Sequence, residues 1–243
     1  MNRVIYTLLL VLVTCRTLAN DTSFVLKYDL SGSSSWIPYY IDNKETPGIL
    51  GELIPLILEE ANIEGRQVTL PPKRTNLALQ HGILDFDTVS PSWLNKEEMS
   101  ANYVFSKPLI AIQEFIIYLP NTFEELPSKS IILGEEVGTI RGYYYHDDDK
   151  FIRADFSSER ELIFALYSKR IKYAIMGDLP AIYWSSKLRI PVSFGPNHSA
   201  GKLHIRLRAD MKGLLPRIND AIQRIKADGR INLILNKYQL INK

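Results

Sequence analysis

The chain has 243 residues, 46% of them hydrophobic, one cysteine, and 29 basic against 27 acidic side chains. Near-neutral charge with no basic cluster argues against a nucleic-acid binder. A lone Cys15 excludes a disulfide scaffold.

The first residues read as a secretory leader. Arg3 is its positive end, residues 4–13 are apolar apart from Thr7, and Thr17-Leu18-Ala19 is a small-x-small cleavage site. The apolar run is too short to anchor the chain in a bilayer. Cutting after Ala19 takes 19 of the 243 residues and leaves 224, with 27 basic and 27 acidic side chains. It also removes Cys15, and with it any thiolate nucleophile or metal ligand. A lipoprotein signal ending at Cys15 is the rival, although Thr14 stands where Gly, Ala or Ser is normal. No second apolar run reaches spanning length. The remainder suits one domain or two small ones.

In chain order, residues 24–30 read as a strand, with a Gly32-Ser33-Ser34-Ser35 loop and the aromatic cluster Trp36-Ile37-Pro38-Tyr39-Tyr40 at its exit. Pro47-Gly48 is a turn. Ile49/Leu50, Leu53/Ile54 and Ile57 recur at helical spacing to Ala61, with Pro55 placed in the first turn. Residues 67–70 form a strand. Thr75 caps a short helix to Gln80, with Gly82 past its end. In residues 84–88, Leu84, Phe86 and Thr88 alternate with Asp85 and Asp87, which predicts a strand with one buried face. It ends in Ser90-Pro91-Ser92-Trp93.

Strands follow at 114–119 and 131–133. Val137 to Gly142 reads as a strand exit and helix entry, whose N–H groups suit an anion. Ser158 to Glu161 is a capping box before the stripe Leu162, Ala165, Leu166. A strand at 172–176 ends at Gly177-Asp178-Leu179-Pro180, the start of another helix. A strand at 203–207 precedes two amphipathic helices divided at Asp228-Gly229. Alternating strands and helices predict an α/β fold with mostly parallel pairing.

Five stretches carry a resemblance across nearly the whole mature chain: the Ser90-x-Ser92 strand end with Phe105-Ser-x-Pro-Leu109; Arg74 to Asp85 as R-x-x-x-x-L-x-x-G-x-x-D; Val137 to Gly142; Asp178 at a strand exit; and Ala227 to Tyr238 as A-D-G-x-x-x-x-I-L-x-K-Y. Together they resemble the family 3 solute-binding proteins of bacterial amino-acid ABC transporters. The resemblance implies two lobes of type II periplasmic-binding-protein architecture, each a mixed, mostly parallel sheet flanked by helices. Lobe 1 would hold residues 20–112 and 205–243, lobe 2 residues 113–204, with a hinge near Gln113 and His204. It implies a monomer in the periplasm, no cofactor, no bond-making chemistry, and partners limited to a small amino-acid-like solute and an inner-membrane ABC permease. Alternatives on the same fold are a dehydratase of prephenate-like acids and a partner that presents ligand to a sensor kinase.

The candidate ligand-binding residues are Trp36, Arg74, Ser90, Ser92, Trp93, Glu97, Thr139, Arg141 and Asp178. Asp178 is the amine partner by family position, with helix capping as the plain alternative. Ser90 and Ser92 match ligand-contacting strand-exit residues. Trp36 and Trp93 are stacking surfaces or lobe packing. Thr139 with Gly142 is a carboxylate cradle. One departure stands out. Five residues beyond the second Ser, where amino-acid binders carry the Arg that clasps the α-carboxylate, this chain has Glu97. Either Arg74 or Arg141 supplies the cation, or the ligand is neutral or cationic. Among the histidines, His81, His146, His198 and His204, none pairs with another at metal-ligand spacing. His146-Asp147-Asp148-Asp149 reads as a solvated acidic loop rather than a metal site. Tyr143-Tyr144-Tyr145 is either pocket wall or lobe packing.

Overall fold

The computed structural model describes residues 25–30, 36–94, 99 and 101–239. The expected leader, the 32–35 loop and Glu97 lie outside these. Two five-stranded mixed sheets organise the molecule.

The first sheet runs β2-β1-β3-β10-β4. Its strands are β1 (Leu26–Tyr28), β2 (Gly65–Gln67), β3 (Phe86–Val89), β4 (Tyr103–Phe105) and β10 (His204–Arg208). β1 pairs parallel with β2 and β3, while β10 lies antiparallel between β3 and β4. The second sheet runs β7-β6-β8-β5-β9. It is built from β5 (Ala111–Tyr118), β6 (Glu136–Ile140), β7 (Ile152–Phe156), β8 (Tyr173–Gly177) and β9 (Ser193–Lys202). Here β6 is parallel to β7 and β8, and β5 is antiparallel to β8 and β9. Four of the first sheet's strands precede all those of the second in sequence, and β10 returns to it. The chain thus crosses between sheets twice, before β5 and after β9. The crossings bind each other: the Leu109 N–H donates to the Leu203 carbonyl (2.7 Å) and the Leu203 N–H to the Ile110 carbonyl (2.9 Å).

Each sheet has its own core. On the first, α1 (Ile49–Glu60), α5 (Leu215–Ala227) and α6 (Arg230–Gln239) bury Leu53, Ile57, Ile218, Ile222 and Tyr238 against Leu26, Phe86 and Ile205. The i, i+3, i+4 spacing of these apolar residues forces helices that lay one stripe on the sheet. Tyr238 is fully buried, and its hydroxyl accepts the Gly48 N–H (3.0 Å) and donates to Glu52 (2.6 Å). One phenol therefore ties the C-terminal helix to the open N-terminus of α1. On the second, α3 (Glu159–Tyr167) and α4 (Asp178–Leu188) accompany a core of Leu162, Ile163, Leu166, Ala174 and Ala181. Ser158 caps α3 as expected, accepting the Glu161 N–H (3.2 Å), while Glu161 reaches back to the Ser157 N–H (2.9 Å).

Several expectations fail for identifiable reasons. Both faces of β3 are buried, because Asp87 pairs with Arg206 and Asp85 accepts the Lys27 N–H (2.8 Å). Thr75 is not a cap. Helix α2 (Pro72–Gln80) starts earlier, on a Pro whose missing N–H costs nothing there, and the buried Thr75 hydroxyl donates to Asp29. Pro55 sits within α1, in its second turn. The strand expected at 67–70 lies at Gly65–Gln67. Residues 131–132 belong to a 3-10 turn, Lys129–Ile132, in which Ile132 alone is buried, and Leu133 follows it, so no alternating face exists. β6 leads through a turn to β7, not into a helix. β9 escaped the sequence because Gly195, Pro196 and Gly201 interrupt any alternation; as an edge strand it tolerates them.

Replacing Tyr238 with Phe strands the Gly48 N–H. Chemical denaturation should show a loss of about 1–3 kcal/mol with an unchanged denaturant slope.

Candidate functional site

Between the two sheets lies a narrow cavity of about 40 Å³. The first sheet's half contributes Trp36, Asn76, Asp87, Trp93 and Arg206; the second contributes Glu114, Gly142, Tyr143 and Tyr144. Its aromatic walls are held by packing. Trp36 stacks on Tyr39 at 4.6 Å and meets Trp93 edge-on at 6.3 Å. The Tyr143 hydroxyl donates to Glu159 (3.0 Å).

The floor is an ion pair. Asp87 on β3 and Arg206 on β10 are directly opposite in register, and the guanidinium donates through Nε (2.9 Å) and Nη2 to the two carboxylate oxygens. Both are at most 2% exposed. Arg206 also donates to Asn76 (3.3 Å) and lies between the Tyr103 and Tyr144 rings, 5.1 and 5.7 Å from its carbon. Burial alone works against its charge, but Asp87 overcomes this and holds the guanidinium firmly protonated.

Glu114, on β5, is the cavity's other acid. It is buried and accepts the Ser199 hydroxyl (2.6 Å). Burial pushes its pKa from 4.5 up to about 7, against the lowering effect of Ser199 and the neighbouring Trp93 indole. The Trp93 Nε1 is close enough to be felt there, yet closes no full hydrogen bond within the protein. An acid poised near neutrality and an unspent buried N–H, both facing a hollow, form the polar core of a ligand site.

The halves touch across this cavity. Gly142 has φ +85°, and a Cβ there would fall 2.6 Å from the Lys73 nitrogen of α2. Asn76 reaches the Gly142 carbonyl (3.4 Å). Only a glycine permits this approach and this backbone angle together.

Of the residues expected at the site, Trp36 and Trp93 line the cavity. Tyr143 and Tyr144, left open between wall and packing, line it too. The rest do not. Ser90 is buried and bonded to Ser92 (2.8 Å), and both press on Gly201 of β9, so the pair locks the 3-10 turn Pro91–Trp93 in place. Arg74 is exposed on α2. Thr139 is buried and spends its hydroxyl on Asp155 (2.8 Å). Arg141 is exposed and leans on the Asp155 carbonyl (3.4 Å). Because no helix starts at Gly142, the anion cradle assembled from Thr139 and Gly142 does not form. Asp178 accepts the Leu179 N–H (2.8 Å) in the first turn of α4 and lines a second, wider hollow of about 530 Å³ with Tyr39, Gln113 and Lys226. Tyr39 links the two hollows: burial raises its pKa, and Asp178 and Glu114 raise it further. The narrow cavity is the stronger site, because four aromatic side chains, an acid and an indole N–H converge on it.

Glu114, Asp87, Arg206 and Asn76 were missed. Glu114 opens an apolar strand, EFIIYL, where a buried acid carries no local signal. Arg206 could have been found only by registering β10 against β3. The acidic loop is not wholly solvated either. Asp147 is buried beside His198 (2.8 Å), and the His146 and His198 rings approach to 4.9 Å although 52 positions part them in the chain.

The sequence profile of bacterial extracellular solute-binding proteins, family 3, matches residues 30–241, and the chain belongs to that family. No curated protein matches the sequence. Among solved structures, the P235GK mutant of ArgBP from T. maritima is similar with a TM-score of 0.72 and 15% identity over 89% of this chain and 95% of that one. The GluR0 ligand-binding core from Nostoc punctiforme in complex with (L)-glutamate gives 0.72 and 16% over 88% and 98%. A histidine kinase sensor domain with similarity to periplasmic binding proteins gives 0.72 and 14% over 90% and 97%. Among the described residues, no helix is long and apolar enough to cross a membrane.

Two tests follow from this geometry. Because the Glu114 pKa is raised on folding, its stabilising share is complete below about pH 4.5 and is lost as pH rises through about 7. Glu114→Gln removes that loss. Its stability relative to the parent should climb between pH 5 and 8, by on the order of 3 kcal/mol, in denaturation curves at each pH. Separately, Gly142→Val should wedge the halves apart, and small-angle scattering should report a larger radius of gyration with an unchanged far-UV spectrum.

Proposed function

We propose that the chain is a periplasmic solute-binding protein that captures a small, amine-bearing polar solute between two lobes, residues 20–112 with 205–243 and residues 113–204, for an inner-membrane ABC permease. It works as a monomer, without a cofactor, and makes or breaks no bond. Glu114 carries the reading: it is the cavity's unpaired acid, while the cavity's described cation, Arg206, is already spent on Asp87. A ligand α-carboxylate would have to break that buried pair. An ammonium or guanidinium group instead finds an acid to ionise and aromatic faces to stack on. The likeness to ArgBP and to a glutamate-bound core supports an amino-acid-like ligand without choosing its charge, and the family supports capture rather than catalysis. Among the described residues no uncommitted Arg lines the cavity, which weighs against a dehydratase of acidic substrates.

Capture would proceed by closure. The solute enters between the lobes, the lobes swing about the paired crossings at Leu109, Ile110 and Leu203, and Gly142 seats on α2. The permease then reads the closed form. The likeness to a histidine kinase sensor domain supports a second reading, in which the closed form is read by a sensor. Stimulation of the permease's ATPase by the liganded protein separates the two.

Isothermal calorimetry of the purified protein against arginine, lysine, putrescine and glutamate tests the ligand class. A cation should bind best, about tenfold more tightly at pH 8 than at pH 6, because Glu114 must be ionised to pair with it. Glu114→Gln should erase that pH dependence. Preference for glutamate would sink the proposal.

A further inference from the structure

A second cluster of chemically capable side chains stands apart from the residues lining the cavity. His146 and Asp147 lie in the β6–β7 loop, His198 on β9, and Lys129 in the 3-10 turn Lys129–Ile132. The Asp147 carboxylate is central. One oxygen is 2.8 Å from His198 Nε2 and the other 3.7 Å from His146 Nε2. One donor atom from each of the three residues lies within 4.8 Å of the others. The His198 side chain is fully buried and Asp147 nearly so, whereas His146 keeps a third of its side chain in solvent. The other His198 nitrogen, Nδ1, is buried without a partner in the protein, so the Asp147 contact alone orients the ring through hydrogen bonding.

Lys129 completes the arrangement. Its ammonium sits 3.9 Å from Asp147 and 3.4 Å from His146 Nε2, and donates to the His198 carbonyl (2.6 Å). The ammonium thus lies close to one imidazole nitrogen and the carboxylate, and is anchored on the backbone carbonyl of the second histidine. The side chain is 42% exposed, so it can swing into solvent.

We propose that His146, Asp147 and His198 form a binding site for a divalent cation of the zinc class, with Lys129 standing in for the cation's charge when the metal is absent. Two imidazoles and a carboxylate suit Zn²⁺, which takes such donors at about 2.0–2.2 Å and fills a fourth position with water. Tetrahedral donors at that range lie about 3.4 Å apart, so the His198–Asp147 pair at 2.8 Å must open to admit the ion while the wider separations, up to 4.8 Å, must shrink. His146 is the exposed member and can close by rotating its side chain. Two members come from one loop and the third from the edge strand β9, so the metal would pin that loop to the sheet.

The test is zinc chloride titrated into the purified protein against a chromophoric chelator, with melting temperature followed in parallel. The parent should take up one Zn²⁺ per chain and melt at a higher temperature with it. His146→Ala, at an exposed position, should weaken uptake at least about tenfold and lose the melting shift. Lys129→Gln should tighten uptake severalfold, because no ammonium competes; a purely structural Lys–Asp–His latch would give no such gain. His81→Ala, on α2's exposed end, should behave as the parent. No uptake, or uptake unchanged by both His146→Ala and Lys129→Gln, overturns the site.

Discussion

The buried Asp87–Arg206 pair sets the terms for the rest of the molecule. It joins β3 to β10, the strand that returns from the second sheet and closes the first. Removing either partner would leave a buried charge uncompensated, an effect of about 3–5 kcal/mol. The pair is also the floor of the cavity, and Tyr144 from the other half lies over it. One interaction thus serves both the first sheet and the floor of the cavity. A guanidinium at the centre of the crevice would ordinarily suggest an anionic ligand. Because this one is committed to a carboxylate in the same strand ladder, the cavity presents an acid instead.

Much of the fold was legible because it rests on local rules. The stripe Leu53, Ile54, Ile57 needed a helix. Ser158 to Glu161 announced its own cap. Asp228-Gly229 divided α5 from α6. The fivefold resemblance found the family because its motifs lie at turns and caps, where backbone geometry restricts residue choice. What escaped was whatever depends on a partner far away in sequence. β9 is a strand because β5 offers it an edge. Asp87 is buried because Arg206, 119 positions later, neutralises it.

The site was half legible for the same reason. Trp36 and Trp93 announce themselves by size and by sitting next to Pro at strand ends. Arg74 and Arg141 were expected as substitute cations and Thr139 as part of a helix-start cradle, and the observed backbone aims all three away from the cavity. Without a helix after Gly142 the N–H cradle is lost, Thr139 turns inward to Asp155, and Arg141 faces solvent. Position in a motif transfers function only while the backbone that aims the residue is kept.

Glu114 shows how these departures fit together. An amino-acid receptor needs a cation for the carboxylate, an anion for the amine and an apolar wall. In the proposed reading the cation is neutralised from below, the anion is Glu114, midway along β5, and the wall is aromatic. β5 follows directly on the first crossing segment, so Glu114 stands beside the pivot about which the halves would move. In the proposed closure a charge taken up there would act close to the pivot. Ionising Glu114 in an empty, closed cavity is unfavourable, and a bound cation removes that penalty. Under the proposed function, closure and capture would be one electrostatic event.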